Sequence, residues 1–568
     1  MSEKKSNILV PVVGAAIVAA GGAGAYFYFK NNITLGPAQV VSAAKIVPQQ
    51  VIMAASISTD GAAWSQLEQF QTPETKKIFD EALKQIQASA AKNEVDFEKD
   101  IKPWAGNIMF AILPGKPAVS QSNRSQLRAL PVSTSSLAQE APATTGKGEP
   151  NLLFVVEIKD KEKANQFIEK TKSKNNQKFQ QIDYRGIQIN EETGSTGQPT
   201  IYAFVDNFLV LAPQKASLEK AIDTYKGGAS VANSLTAENL ELKNPVIQFY
   251  MPNFPDAVQQ LTALNPEAAQ IPQASLEQLK LIKSVNVGVG IDGDGIRLKG
   301  VTKIDPNYLK VEFKPSPGKV IAQFPSETFA LISGVNIKAR WEQFTQDAEK
   351  IPELKTALTE VRQQAKSSPL AIDVDKDIFG WMDGEFALAG ITNSEGVLAP
   401  VGAAPALVFQ TSNRPAAEAL LKKLDDYIKS NSGTVETKDV SGVAVTQWSF
   451  PGAQNVISHG WYAQDAFFVT AGPLANALAT KPANALDSSQ AFKTITGSLL
   501  SPNLGYFYLD ADKTWALITE KVPTVKSEVP PEANAFISSV RGIAGTAVMP
   551  DKSTSRFELL LALKKGGK

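Results

Sequence analysis

The chain has 568 residues, and because one hydrophobic core seldom supports so many, its length predicts at least two domains. Lysine plus arginine equals aspartate plus glutamate at 57 each, and no basic block occurs, which argues against nucleic-acid binding. Cysteine is absent and His459 is the only histidine, which excludes disulfides, thiolate metal sites and any mechanism that needs two imidazoles in one chain.

The first recognisable element is an uncharged stretch of 22 residues, Ile8–Phe29. As a helix it is long enough to cross about 30 Å of hydrocarbon. A cleaved signal peptide, with a small-residue site at Ala23–Ala25, and a buried core helix are the alternatives. We expect an uncleaved transmembrane anchor over residues 1–30 and a polar tether over residues 31–47.

The charges around this stretch predict how the protein is oriented. Lys4 and Lys5 precede it and Lys30 follows it. Because positive charge favours the cytoplasmic side, we expect a cytoplasmic N-terminus and a body outside the cytoplasm.

The remainder of the chain contains two copies of one pattern. An offset of 277 (341 − 64) aligns Trp64 with Trp341. The same offset, without a gap, aligns five further identical pairs: Pro48 with Pro325, Asp96 with Asp373, Asp100 with Asp377, Ile101 with Ile378, and Trp104 with Trp381. We therefore predict a first repeat over residues 48–305 and a second over residues 320–568.

Each repeat is predicted to begin with an apolar strand, over residues 51–58 or 328–335, and to continue into a helix, over residues 78–86 or 354–361. Trp64 and Trp341 precede these helices and are expected to close the core over the strand. The later strands are predicted in corresponding pairs: 108–113 with 385–390, 152–158 with 406–411, 201–205 with 460–463, 208–211 with 467–470, 248–251 with 506–509, and the hairpin 285–291 and 296–302 with its counterpart in 543–563.

Strands that alternate with helices and return through tight hairpins predict the α+β class. We expect two tandem homologous α+β repeats, each with a mixed or mainly antiparallel sheet and helices on one face. Residues 113–150 are rich in Ser, Ala, Pro, Thr and Gln, a composition that predicts a disordered insertion in the first repeat.

Alternating carboxylates are the most regular polar feature of the repeats. Asp96, Glu98 and Asp100 are matched by a second set, Asp373, Asp375 and Asp377. A calcium loop begins in this way, but it needs Gly at its sixth position and Glu at its twelfth, where the second copy has Ile378 and Gly384. We interpret Asp100 and Asp377 as caps of a short helix that directs the following tryptophan into the core.

Two further motifs have structural interpretations. Asp292-Gly-Asp-Gly295 lies between two apolar alternating runs and predicts a hairpin turn rather than a metal loop. His459 follows Ser458, but no Gly-x-Ser-x-Gly elbow occurs, so a lone surface histidine is the prediction. Phosphate-loop and dinucleotide signatures are missing. The sequence therefore predicts no catalytic, cofactor-binding or metal-ligating residue.

The Asp-Ile-x-x-Trp segments, Asp100–Trp104 and Asp377–Trp381, with a proline before each first strand and later Tyr-containing strands, resemble a bacterial family of exported, membrane-anchored proteins. This family is catalogued as domain of unknown function 3352 and is familiar from cyanobacteria. The resemblance covers most of the chain beyond residue 45. It implies no catalytic residue, because the family has no assigned activity, and for a cyanobacterial source it implies a periplasmic or thylakoid-lumen location.

Three functional hypotheses follow. The first is a non-enzymatic, single-pass membrane protein, anchored by residues 8–29, whose body binds an unknown protein partner as an interaction or assembly module. The second is a carrier or chaperone that holds an apolar ligand in a cleft lined by strands such as Phe249-Tyr250 and Phe507-Tyr508. The third is a hydrolase that relies on paired carboxylates.

Overall fold

The computed structural model describes residues 41–58, 61–73, 76, 100–101, 103–114, 151–174, 178–193, 199–264, 279–307 and 314–566. The predicted anchor 8–29, the helix 78–86, Asp96, Glu98 and residues 115–150 of the predicted insertion lie outside the described residues. Among the described helices, none combines the length and hydropathy needed to cross a membrane.

Within the described residues, twenty strands form one sheet, ten in each half of the chain. The first ten are β1 (Met53–Ile57), β2 (Ala105–Leu113), β3 (Asn151–Ile158), β4 (Lys178–Tyr184), β5 (Ile187–Thr193), β6 (Pro199–Val205), β7 (Phe208–Ala212), β8 (Pro245–Met251), β9 (Ile282–Ile291) and β10 (Gly295–Ile304). The second ten are β11 (Thr328–Val335), β12 (Glu385–Thr392), β13 (Ala403–Gln410), β14 (Thr434–Val440), β15 (Val443–Phe450), β16 (Ala453–Trp461), β17 (Ala466–Ala471), β18 (Tyr506–Asp510), β19 (Val540–Asp551) and β20 (Thr554–Leu563).

The described helices lie between these strands and before β1. In the first half they are α1 (Val41–Ala44), α2 (Gly61–Ser65), α3 (Lys161–Lys174), α4 (Lys215–Tyr225), α5 (Ala232–Ala237) and α6 (Phe254–Leu264). In the second half they are α7 (Ile337–Ala348), α8 (Pro352–Ser367), α9 (Arg414–Ser430), α10 (Ala475–Ala479), α11 (Gln490–Thr496), α12 (Ala511–Lys521), α13 (Val525–Glu528) and α14 (Pro531–Ser539). The protein is thus an α+β structure with a large antiparallel sheet, as the predicted class requires.

The strand order is the same in both halves. Across the sheet it runs β4-β5-β6-β7-β3-β2-β1-β8-β9-β10 and then β20-β19-β18-β11-β12-β13-β17-β16-β15-β14. Every pairing among the described strands is antiparallel. Adding ten to a strand number in the first half gives the strand at the corresponding position in the second half.

Helices cover both faces of the sheet, which corrects the prediction that they lie on one face. Phe467 and Phe468 are neighbours in β17 and therefore point to opposite faces. Phe468 packs in a core with Leu478 of α10 and Phe492 of α11. Phe467 packs in a separate core with Leu421 of α9 and with Trp381. We call the side of Phe468 the first face and the side of Phe467 the second face. One-sided coverage was the wrong expectation because β17 is apolar at successive positions.

The two halves meet where β10 pairs with β20. Residues 295–303 of β10 lie opposite residues 554–562 of β20. Arg297 is buried at this seam, with its Nε 2.6 Å from Asp292 and its Nη1 donating to Glu558 of the other half. The predicted turn at Asp292–Gly295 connects β9 to β10, so these aspartates belong to a hairpin.

Two element boundaries differ from prediction. Ile46 and Val47 are fully buried in the core of the first half, so the predicted tether 31–47 ends before them, since apolar side chains there gain from burial. The strand predicted over 460–463 is the longer β16, which ends at Trp461, and the turn begins at Tyr462.

Candidate functional site

The second copy of the alternating carboxylates forms a π-helical turn, Val374–Ile378. Asp373 is its cap, because one carboxylate oxygen accepts the backbone N–H groups of Asp375 and Lys376, each at 3.1 Å. The predicted cap was Asp377, which is wrong: its carboxylate instead accepts the backbone N–H of Asp373 and lies 2.6 Å from Nζ of Lys423. Within the described residues, no group of three His, Cys, Asp or Glu side chains is placed to hold a metal ion.

The tryptophans that follow these segments do enter the core. The indole N–H of Trp381 donates to the backbone carbonyl of Asp377 at 2.8 Å, and that of Trp104 donates to the carbonyl of Asp100 at 2.7 Å. Both rings are buried. Lys170 of α3 pairs with Asp100 as Lys423 of α9 pairs with Asp377. These aspartates therefore fix the tryptophans and one helix in each half.

Trp341 does not pack like Trp64. Trp64 is buried, with its indole N–H donating to the carbonyl of Ser58 at 2.7 Å. Trp341 is only half-buried; its indole N–H donates to Asp375 at 2.7 Å, and its ring stacks on Phe379 with 4.0 Å between centroids. The expectation that both tryptophans close a core over the first strand is thus wrong for Trp341. Its indole N–H is directed to the carboxylate of Asp375 instead.

Trp341 lines a cleft of about 550 Å³ between α7, α8, the π-helical turn and the start of α9. We call it the polar cleft. Its lining comprises Lys338, Trp341, Glu342, Thr345, Arg362, Asp375, Lys376, Asp377, Phe379, Gly380, Asn413, Ala416 and Ala419. Arg362 approaches Asp375 with two nitrogens, Nη2 at 2.9 Å from Oδ1 and Nε at 2.8 Å from Oδ2. The sequence offered no signal for Arg362, because an arginine on an amphipathic helix usually faces solvent.

Two of the three carboxylates that line the polar cleft, Asp375 and Asp377, have lowered pKa values. Burial opposes the ionisation of Asp375, but hydrogen bonds from Arg362 and Trp341 outweigh it and lower its pKa below the usual range. The hydrogen bond from Lys423 is the main reason why the pKa of Asp377 is also lowered. Acid–base hydrolysis by two carboxylates requires one member with a raised pKa, and this pair has none.

His459 is not on the surface, where the sequence placed it. It is 6% exposed on β16, with Nε2 2.9 Å from Asp425 of α9, and the indole N–H of Trp448 donates to the same carboxylate oxygen at 2.6 Å. Ser458 precedes it in the strand and so points to the opposite face. Burial against α9 thus gives His459 a packing role.

The second face carries a different candidate, an exposed row of apolar side chains. Ile332 of β11 lies opposite Leu388 of β12 and Phe507 of β18. These side chains are 51%, 41% and 41% exposed. We call these three residues the apolar row. Neighbouring strands are about 4.8 Å apart, so the row is about 10 Å long, the width of a helix.

The sequence contained a signal for this row. β11 contains four successive apolar residues, Phe329–Ile332, whereas an antiparallel strand with one solvated face alternates. The predicted aromatic pairs also separate here: Tyr250 and Tyr508 are buried, whereas Phe249 and Phe507 point to the second face. The corresponding row of the first half is Phe110, Ala55 and Phe249, none of them exposed like Ile332.

Comparisons with known proteins bear mainly on the family. Crystal forms I, III and IV of TP0453 are similar to this chain at 8%, 8% and 9% identity, with TM-scores of 0.23, 0.24 and 0.24. The alignments cover 50%, 50% and 46% of this chain and 83%, 83% and 79% of those chains. No curated protein matches. The family model described as "Protein of unknown function (DUF3352)" matches residues 12–563, and the chain therefore belongs to this family.

Proposed function

We propose that this protein is a non-enzymatic interaction or assembly module whose second face binds an apolar segment of a partner protein. The observation that carries the proposal is the apolar row, Leu388, Ile332 and Phe507, which lies side by side on three central strands and is about half exposed. Apolar side chains exposed together at the middle of a sheet are typical of a surface that a partner covers.

The openness of the row favours a protein partner over a small apolar ligand. A site for a small molecule buries about 70–90% of its ligand within a cavity. The residues of the row do not line the polar cleft. An open strip about 10 Å long presents little enclosure to an acyl chain but matches the side of a helix or strand. We therefore place the carrier hypothesis second.

The membrane location is part of the same proposal. Ile8–Phe29 is long enough to span a bilayer, and Lys4 and Lys5 favour a cytoplasmic N-terminus. The body then lies on the extracytoplasmic side, in the periplasm or the thylakoid lumen. Repeated strand order and the offset of 277 (341 − 64) support two tandem homologous repeats as the origin of the two halves.

The test compares tagged full-length protein with Ile332→Lys after isolation from gently solubilised membranes, with mass spectrometry of proteins and lipids. Val361→Lys is the matched control, because Val361 is also 51% exposed but lies on α8. We expect a partner that the wild type and Val361→Lys retain and Ile332→Lys loses. Ile332→Thr, which keeps strand propensity, should weaken the same partner.

Two results would contradict the proposal. If all variants retained the same partners, the apolar row would not be part of the interface. An apolar molecule that co-purifies with the wild type, without protein and not with Ile332→Lys, would establish the carrier instead. Thermal unfolding of each variant separates loss of binding from loss of the fold.

A further inference from the structure

The polar cleft has one aromatic wall. Trp341 and Phe379 are stacked within 19° of parallel and both line the cleft. The indole N–H is engaged by Asp375, so the rings offer the cleft only apolar surface. About 550 Å³ is within the usual range for a small-molecule site. A flat apolar group is therefore the natural neighbour of this wall.

Ion pairs neutralise some, but not all, of the charged side chains that line the rest of the polar cleft. Arg362 neutralises Asp375, and Lys423, which is not part of the lining, neutralises Asp377. Lys338, Lys376 and Glu342 are left, and within the described part of the chain none of the three forms an ion pair of its own. These three groups carry a net charge of +1. They come from the start of α7 and from the π-helical turn, so the positive charge is on two walls of the cleft.

From the stacked rings and the surplus positive charge we infer that the polar cleft binds a small organic monoanion with a flat apolar body, such as an aromatic carboxylate. The ring packs on Trp341 and Phe379, and the carboxylate lies between Lys338 and Lys376. Asp375 and Arg362 hold the indole in place through their own ion pair. This site is separate from the apolar row and does not depend on the proposed function.

Calorimetric titration of the full-length protein in non-ionic detergent tests the inference with three probes. 2-Naphthoate has both ring and charge, 2-naphthalenemethanol has the ring alone, and acetate has the charge alone. We expect 2-naphthoate to bind about tenfold more tightly than either of the others, which corresponds to about 1.4 kcal/mol, because each of the other probes lacks either the ring or the charge. Detergent blanks correct for partition into micelles.

Variants that remove a positive charge and a variant that removes a negative charge from the lining should change the affinity in opposite directions, which makes the test specific. Lys338→Gln and Lys376→Gln should each weaken 2-naphthoate several-fold, whereas Glu342→Gln should tighten it by a similar factor. Lys355→Gln is the control, since Lys355 lies on α8 outside the lining and pairs with Glu349. The inference is overturned if 2-naphthoate does not bind, if the neutral alcohol binds equally well, or if Glu342→Gln and Lys338→Gln shift affinity in the same direction.

Discussion

Buried carboxylates in this protein differ in how many hydrogen bonds and ion pairs stabilise their negative charge. Glu385 accepts hydrogen bonds from Ser316 and from the backbone N–H groups of Gly318 and Lys319. Glu558 contacts Arg297. Glu238 has only the hydroxyl of Ser284, 2.9 Å from its Oε1, and its Oε2 is buried without a hydrogen-bond partner among the described residues. Of the three, Glu238 is the carboxylate whose charge is most weakly supported.

Glu238 should therefore make stability depend on pH. Burial raises its pKa above the usual value, and the hydrogen bond from Ser284 and the charge of Lys303 offset this only in part. As pH rises from about 4.3, the unfolded chain loses this proton before the folded chain does, so the free energy of unfolding falls until the folded-state pKa is passed. Glu238→Gln removes this loss. We expect its advantage over the wild type in urea unfolding to grow from about pH 4 to about pH 8.

Glu241→Gln is the control for this prediction, since Glu241 is an exposed glutamate three residues further along. The pH dependence of Glu238→Gln is compared with that of this control. A difference from the wild type that stays constant with pH for Glu238→Gln would mean that Glu238 titrates alike in the folded and unfolded chain.

At the scale of single elements, prediction succeeded where burial was one-sided or where an apolar run was long. β11 was predicted with its observed bounds, because proline precedes it and most of its residues are apolar. The hairpins β4–β5 and β14–β15 were not predicted. Most residues of β14 are exposed, so no periodic apolar signal marks the strand. Its turn did carry a signal, since Gly442 and Ser441 have positive φ, with Asp439 accepting the N–H of Gly442.

The candidate sites were less predictable than the strands. The polar cleft unites residues of α7, α8, α9 and the π-helical turn, which only tertiary packing brings together. Asp375 was noticed in the sequence, but its partners Arg362 and Trp341 lie 13 and 34 residues away. The apolar row is likewise formed by strands far apart in sequence. In both cases the residue types were visible and the juxtaposition was not.

The π-helical turn depends on its cap. Asp373→Ala leaves the N–H groups of Asp375 and Lys376 without the side-chain acceptor, at a cost of about 1 kcal/mol of unfolding free energy. Asp373→Asn should recover most of it, because asparagine caps as well as aspartate. Urea unfolding measures both variants. Equal loss in Asn and Ala would show that the negative charge, and not the cap geometry, stabilises the turn.

At the scale of the whole molecule, the two halves depend on a shared sheet. Nine residue pairs join β10 to β20, and the buried Arg297 is enclosed by carboxylates of both halves. The segment from Asp305 to Lys314 connects the halves along the chain, whereas the pairing holds them in space. Covalent continuity at this point should therefore contribute little to holding the halves together.

Cutting the connection tests this view. A protease site inserted between Asn307 and Lys314, cleaved after folding, should give two fragments that elute together in size-exclusion chromatography. Arg297→Met should make them separate more readily in urea, because it leaves Asp292 and Glu558 buried without a cation. Cleaved wild-type fragments that separate without denaturant would show that the connection, and not the sheet, joins the halves.

The position of β20 has a consequence for how the protein is made. β20 is the last of the described strands, yet it lies at the centre of the sheet, against β10 of the first half. Until β20 has been synthesised, β10 therefore has an unpaired edge, and unpaired edges invite aggregation. A nonsense mutation that removes β20 would leave β10 and β19 each with an open edge, so β20 completes the sheet that joins the two halves.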